Sequence, residues 1–375
     1  MKTFDISVIS TPYKFQPSNT MGSVEKVSFQ RFQKLTKMGY NVNFIAPVKS
    51  KLDEDYKYYP IKKIRVDSIP NNRSKLHWLY STGSFNYFSP YMKIPENEIG
   101  QILIFDGWRL EPWDFIPLAM KFHKSTVINI LHPPVVFVDK TPIKMFQLLY
   151  KRAIWGSLNT RISEYMRKLG YNVIYLPNGI AIPSERMIMK EPENFFIFFG
   201  RIEPVKAPHL AIMLSKSTKK PLKIFGKIYD QSYFNKMIKP YIDGVQIKFY
   251  GEVPYDILFD NLRRSSATFY FSYSYDPFPT VLLESLSYGV PVIGNSLSPL
   301  SGFHDLIVPK MNGNIVKVNE IADKLSYNEK FDIFSNFDRT LIYRNTSLKW
   351  SWKNVIKKFY EPFLSTLGIS PHYKI

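Results

Sequence analysis

At 375 residues, 45% of them apolar, the chain is long enough for two domains with full cores and too apolar to be disordered. It has no cysteine, which excludes disulfides and thiolate metal sites. A formal charge of +19, heavier in the first half than in the second, attracts phosphorylated substrates, anionic membranes or nucleic acid without choosing among them.

Residues 4–10 form an apolar run that reads as a first strand, and no charged-then-apolar leader precedes it. No stretch approaches the ~18 apolar residues of a membrane span, so a cytoplasmic protein is expected. After a polar loop over 11–20, residues 21–38 carry Val24, Val27, Phe32 and Leu35 at helical spacing. Gly39 stops that helix, and 42–46 is the second strand of a βαβ unit. Ligands in such sheets bind at the carboxyl ends of strands, which directs attention to Gly22. No G-x-G-x-x-G follows the strand, which speaks against a dinucleotide oxidoreductase.

Residues 50–100 say little beyond a strand near 61–66. Asp53-Glu54-Asp55 lies in a lysine-flanked polar run and reads as a solvated loop. Strands follow at 101–105 and 126–131, with Asp106 and His132 at their carboxyl ends. None of the six histidines has metal-ligand spacing with another, so no metal site is expected. A helix over 161–169 and a strand over 173–176 lead to Pro177-Asn178-Gly179-Ile180, where a domain boundary near 182 is expected. Residues 183–194, rich in charge and proline, read as linker.

The second domain opens on a buried strand at 195–199, followed by Gly200-Arg201-Ile202-Glu203-Pro204-Val205-Lys206. A glycine there lets backbone approach a diphosphate, and the two cations supply charge beside it. Strand-then-glycine units recur at 222–226 and 245–251, with a helix starting near Tyr255 and a strand over 267–271. Then comes Tyr275-Asp276-Pro277-Phe278-Pro279-Thr280-Val281-Leu282-Leu283-Glu284, within a loop, a short apolar helix from 280 to 288, a stop at Gly289 and a strand at 290–293. Pro279 suits the first helical turn. Glu284 sits mid-helix among leucines, where a carboxylate requires hydrogen-bonding partners. The free N–H groups of the first turn form an anion site. Trp350-Ser351-Trp352 reads as the start of a final amphipathic helix reaching Tyr360.

Asp276 and Glu284 bracket seven residues, and this pattern resembles the E-x7-E signature of retaining GT-B glycosyltransferases, specifically glycosyltransferase family 4, the group 1 type. The stretch from Gly200 to Lys206 resembles the same family's G-R-x-x-x-x-K loop, and Asn178-Gly179-Ile180 its turn between domains. Ser301-Gly302-Phe303-His304-Asp305 and Asn312-Gly313 resemble its later segments. This chain departs from the pattern with Asp276 for Glu, Pro279 and Ala207 for Gly, and Met21-Gly22-Ser23 for a Gly-Gly pair.

The resemblance implies an α/β, GT-B fold: two Rossmann-like domains whose parallel sheets face a central cleft. It implies an acceptor domain over 1–182, a nucleotide-sugar domain over 183–348, and a C-terminal helix and tail over 349–375 returning to the first domain. It implies transfer of a sugar from a nucleotide-sugar donor to an acceptor, with retention, without a metal and without a cofactor. Arg201, Lys206, His132 and Asp276 would serve catalysis. Gly22, Gly200, Phe278, Thr280, Val281 and Glu284 would contact the donor, Glu284 through the ribose. An anionic or lipid-linked acceptor would suit the charge, and the basic first half admits peripheral contact with a membrane's inner face. Two other classes stand beside this one. One is a same-fold nucleotide-sugar epimerase, which would turn over donor without acceptor. The other is a non-catalytic anion- or nucleic-acid-binding protein on the same scaffold. Nucleic acid is the less expected partner, because aromatic residues are not interleaved with basic ones on any one stretch.

Overall fold

In a computed structural model that describes residues 4–9, 23–50, 57–61, 90–107, 116–131, 153–273, 275–316 and 336–372, the chain divides into two units. Unit 1 comprises Met1–Gly179 and Val355–Ile375, and unit 2 comprises Ile180–Asn354. The chain thus changes units between Gly179 and Ile180 and again between Asn354 and Val355.

Unit 1 is built on a parallel sheet whose strands among the described residues run in the order β3-β2-β1-β4-β5-β6-β7. They are β1 Ile6–Ile9, β2 Val42–Pro47, β3 Tyr58–Ile61, β4 Ile102–Gly107, β5 Thr126–Leu131, β6 Ala153–Ser157 and β7 Val173–Tyr175. β1 sits mid-sheet, Ile6 opposite Val42 on one side and Ile102 on the other, and all four of its residues are buried. Its sequence alternates, yet the polar Ser7 is buried with the rest, its hydroxyl donating to Asn43 Oδ1 on β2. The helix Ser23–Lys37 covers the sheet with the expected residues: Val24, Val27, Phe32 and Leu35 are all buried. Phe32 stacks on Phe44 of β2 with ring centroids 4.7 Å apart. β6 was not expected. Its Ala-Ile-Trp-Gly-Ser sequence carries a glycine mid-strand, which weakens the local signal. A Cβ at Gly156 would come within 2.9 Å of the Ile130 side chain, so the packing that requires glycine also hides the strand.

The centre of unit 1 holds a charge that the hydrophobic pattern does not announce. The Arg31 side chain has no solvent exposure, and its guanidinium donates to Asp106 Oδ2 at 2.6 Å, Asn178 Oδ1 at 2.9 Å and the Tyr360 hydroxyl at 3.0 Å. Ser28 donates to the same Asp106 oxygen, and Tyr360 donates onward to the Pro177 carbonyl at 3.3 Å. Burial alone would pull the arginine's pKa down, but Asp106 and Tyr360 beside it hold it above its ordinary value. One guanidinium therefore joins the first helix, β4, the Pro177-Asn178 turn and the returning C-terminal segment. Asp106 lies inside β4 and is committed to this ion pair.

Unit 2 carries a second parallel sheet, ordered β10-β9-β8-β11-β12-β13 among the described residues. Its strands are β8 Phe196–Phe199, β9 Leu222–Phe225, β10 Ile247–Gly251, β11 Ala267–Ser272, β12 Val292–Ser296 and β13 Gly313–Ile315. β8 and β11 are neighbours at the middle, each buried throughout, with Phe196 and Phe269 in contact at 4.5 Å between centroids. The helix Pro208–Thr218 packs on them through Leu210, Ala211 and Leu214. In the helix Tyr255–Arg264, Leu258 and Leu262 make a buried i, i+4 pair. Its last carbonyls are met by Arg339, which donates to Ser265 O at 2.9 Å and Arg263 O at 2.8 Å. A cation suits a helix carboxyl end, although burial pulls the Arg339 pKa down to about 10.

Two expectations are corrected here. The 183–194 stretch is no loose linker. Tyr343 donates to Pro183 O at 2.9 Å, Arg344 pairs with Glu185 at 2.9 Å, and Arg264 pairs with Glu193 at 2.5 Å. Trp350 ends a helix, Arg339–Trp350, instead of starting one. The reason is a backbone bridge: Ile180 N–H donates to Trp350 O at 2.8 Å and Trp352 N–H to Ile180 O at 3.3 Å. Ser351 between them is extended, with ψ 141°, and helix resumes only at Trp352. Beyond it Tyr360 is buried in unit 1, and Phe359 meets Tyr175 edge-on at 5.0 Å.

Candidate active site

The site builds from the carboxyl ends of β8 to β12 in unit 2, where a parallel sheet sends all its exiting loops to one edge. The loop after β8 lies against the next two. Gly200 N–H donates to Phe225 O at 3.0 Å, Ile202 N–H to Lys227 O at 2.9 Å, and Gly226 N–H to Gly251 O at 2.7 Å. At Gly226, with φ at 144°, an added Cβ would stand 1.7 Å from Gly200 O. Only glycine permits that approach. Gly226→Ala is expected to displace the Gly200 loop and lower stability by roughly 2 kcal/mol or more. Thermal or urea unfolding of the variant checks this, and a wild-type midpoint would refute it.

Arg201 leaves this loop half-exposed, its guanidinium 3.0 Å from Glu203 and 5.4 Å over the Tyr229 ring. The turn Pro204–Lys206 follows and ends on Ala207, which takes the left-handed conformation at φ 44° and ψ 48°. A non-glycine residue there costs about 1–2 kcal/mol, and its burial beneath the helix Pro208–Thr218 supplies the compensating contacts. Lys206 then reaches out of the turn. Its ammonium lies 2.7 Å from Oδ2 of Asp276, on the loop that leaves β11.

That second loop is equally well held. Tyr273 N–H donates to Val205 O at 2.9 Å, and the Asp276 carbonyl accepts from Gly302 N–H at 2.9 Å and Ser301 Oγ at 3.0 Å. Tyr270, in β11, donates to Asp276 Oδ2 at 3.2 Å and lies 5.8 Å beneath the Lys206 ammonium. Burial first, and then the Asp276 charge, raise the Tyr270 pKa well above its ordinary value, so the phenol keeps its proton. The helix Thr280–Ser287 follows, with Pro279 at its N-cap instead of within its first turn. Proline offers no side-chain cap, so the amides of Thr280 and Val281 open the helix uncapped by a side chain. Leu282, Leu283 and Leu286 are buried, and Ser285 bonds Thr268 of β11 at 2.8 Å. Glu284 is buried one turn in. The helix closes at Gly289, φ 70°, where a Cβ would meet Arg339 O at 2.4 Å.

Lys206 and Asp276, 70 positions apart, are therefore in contact, and Arg201, Gly200, Thr280, Val281 and Glu284 lie on the two segments they join. Phe278 is brought close only through its backbone, because its ring is buried edge-on against Trp350 at 5.5 Å. Asp305 lies in the short helix Phe303–Leu306. Asn312 braces a turn, accepting from Val308 N–H at 2.8 Å and donating to Leu306 O at 2.9 Å. Gly22, His132 and Asp53-Glu54-Asp55 lie outside the described residues. Among the described residues no three acidic or histidine side chains gather as metal ligands, and no helix is long and apolar enough to cross a membrane. Tyr270 was missed by sequence reasoning. The signal for it is a tyrosine amid the phenylalanines of an otherwise apolar strand, since a buried phenol requires a partner.

The fold is GT-B. Residues 184–331, which hold Arg201, Lys206, Asp276 and Glu284, match the family described as "Glycosyl transferases group 1". Over 88 residues the chain is 33% identical to the lipopolysaccharide 1,6-galactosyltransferase of Escherichia coli K12, a match covering 23% of this chain and 24% of that protein. Over most of its length the chain is similar in fold to a number of solved structures, two of which serve as examples. One is the apo form of the lipopolysaccharide outer core galactosyltransferase WaaB, at 18% identity and a TM-score of 0.61, covering 96% of this chain and 99% of that one. The other is Anabaena Alr3699/HepE in complex with UDP and glucose, at 13% identity and a TM-score of 0.66, covering 96% and 100%.

Proposed function

We propose that this protein transfers a hexose from a nucleotide-sugar donor to an acceptor, with retention of anomeric configuration and without a metal ion. The observation that carries the reading is the Lys206–Asp276 contact, which draws the cationic loop after β8 onto the segment bearing Glu284. The matching family of 184–331 and the UDP and glucose held by the HepE structure support a donor of this class.

In the reaction the bond between the anomeric carbon and the diphosphate oxygen breaks, its electrons leaving with the diphosphate. An acceptor hydroxyl bonds the same face of the carbon and yields its proton to the departing phosphate oxygen. Lys206, Arg201 and the amides of Thr280 and Val281 neutralise the charge that gathers on the diphosphate. Glu284 takes the ribose hydroxyls, and Asp276 and His132 orient the sugar. Fixed cations and helix amides do here what a divalent ion does elsewhere. Unit 1 serves the acceptor, for which an anionic or lipid-linked molecule suits the basic charge, as does work at the inner face of a membrane.

A thermal-shift screen of UDP, GDP, ADP, UDP-glucose and UDP-galactose, run in EDTA on wild type and Glu284→Ala, tests the reading. At a hundredfold excess over Kd a ligand stabilises by about 2.7 kcal/mol, so even a weak donor registers. Wild type is expected to shift with at least one nucleotide, and Glu284→Ala to shift less. If nothing in the panel moves the wild type, the transferase reading is lost. Equal shifts in both proteins would remove only the ribose role.

A further inference from the structure

Asp276 uses one carboxylate oxygen twice. Oδ2 faces the Lys206 ammonium at 2.7 Å and accepts from the Tyr270 phenol at 3.2 Å, while among the described residues no hydrogen bond reaches Oδ1. The phenol is itself fixed from two sides. Its ring stacks on Phe303, centroids 5.7 Å apart and nearly coplanar at 12°, and the strand that carries it is buried at every residue. Tyr270 is buried in a central strand whose backbone is flanked on one side by Gly294, where a Cβ would stand 1.6 Å from Tyr270 O. A lysine on its flexible stem has no such constraint of its own. The rigid member of the set Tyr270–Asp276–Lys206 is thus the tyrosine.

We infer that Tyr270 is a positioning residue, holding Oδ2 of Asp276 against Lys206 so that the ammonium has one location and Oδ1 stays open as an acceptor for a sugar hydroxyl. The inference rests on the transferase reading for its use, but not for the contact itself. Preorganised charge stabilises a departing diphosphate only if it does not move when the charge develops. A tyrosine beneath the pair supplies that rigidity from the sheet core, where a loop aspartate and a lysine could not.

The test compares wild type, Tyr270→Phe, Asp276→Asn and the double variant. Phenylalanine keeps the ring on Phe303, and melting curves show whether each protein is folded. First, the rate of Lys206 acetylation by dilute acetic anhydride is followed by peptide mass spectrometry, with no ligand present. Tyr270→Phe is expected to raise that rate about two- to tenfold, the range that one hydrogen bond supports. Asp276→Asn should raise it further, and adding Tyr270→Phe to Asp276→Asn should change nothing. Second, calorimetry with UDP is expected to show weaker binding to Tyr270→Phe by about the same factor, again with no effect in the Asp276→Asn background. An unchanged labelling rate in Tyr270→Phe, or an equal increase in both backgrounds, overturns the inference. If labelling behaves as expected but no nucleoside diphosphate binds wild type, the transferase reading falls and the positioning of Lys206 stands. If UDP binds and labelling ignores Tyr270, only the positioning role falls.

Discussion

Arg31→Met lowers the stability of unit 1 by about 3–5 kcal/mol, because it strips a fully buried carboxylate of its cation. The side chain it replaces is wholly buried and bonds Asp106, Asn178 and Tyr360 at once. Methionine fills much of the volume, so the loss reports the charge and the hydrogen bonds more than a cavity. Urea unfolding followed by tryptophan fluorescence reads it, since Trp155 is buried in this unit. Adding Asp106→Asn recovers part of the loss, as the remaining partner no longer bears an uncompensated charge. A loss below ~1 kcal/mol, the range of an exposed ion pair, would show that the pair is not sealed from water. In the intact protein the pair is weak evidence for stability as such. Its effect is to specify where four chain segments meet.

On the proposed reading, Lys206→Ala lowers kcat by about a hundredfold to a thousandfold, corresponding to ~3–4 kcal/mol of lost stabilisation of the departing diphosphate. The size of the effect follows from what alanine leaves behind. The Asp276 carboxylate, which Lys206 now meets at 2.7 Å, is left without that cation, so the site loses a positive charge and keeps a negative one. Arg201→Ala should cost less, because its head is 41% exposed and shared with Glu203, where solvent screens it. Steady-state kinetics with the nucleotide sugar that emerges from the binding screen separates kcat from KM. A transition-state role requires kcat and kcat/KM to fall together, whereas a rise in KM alone would demote Lys206 to ground-state binding.

Much of this arrangement was legible in the chain, and the parts that were not share a cause. Strands β1, β2, β4, β5, β8, β9, β11 and β12 announced themselves as apolar runs closed by glycine, proline or a charged turn, because strands buried on both faces of a parallel sheet have little else to be. The cationic loop and the Asp276–Glu284 segment were legible because local backbone demands and charge coincide there. β6 was not, since Gly156 answers to the side chain of Ile130 on a neighbouring strand. Trp350 misled because Leu348 to Tyr360 is periodic on both sides of Ser351, and only a bridge to Ile180 interrupts it. Arg31 falls four residues after Val27 and four before Leu35, so helical spacing puts it on the buried face, but its partners Asp106, Asn178 and Tyr360 all lie more than 70 positions away.

Local chemistry along the chain settled which segments are strands, where helices stop, and which side chains carry charge next to a flexible turn. Tertiary packing settled the partners: Lys206 with Asp276, Asp276 with Tyr270, Arg31 with Asp106, Asn178 and Tyr360. An element's type follows from the period of its own side chains, a property of a few consecutive residues. The value of a buried charge depends on what removes water from it and what replaces that water, and those groups come from strands and loops scores of residues away.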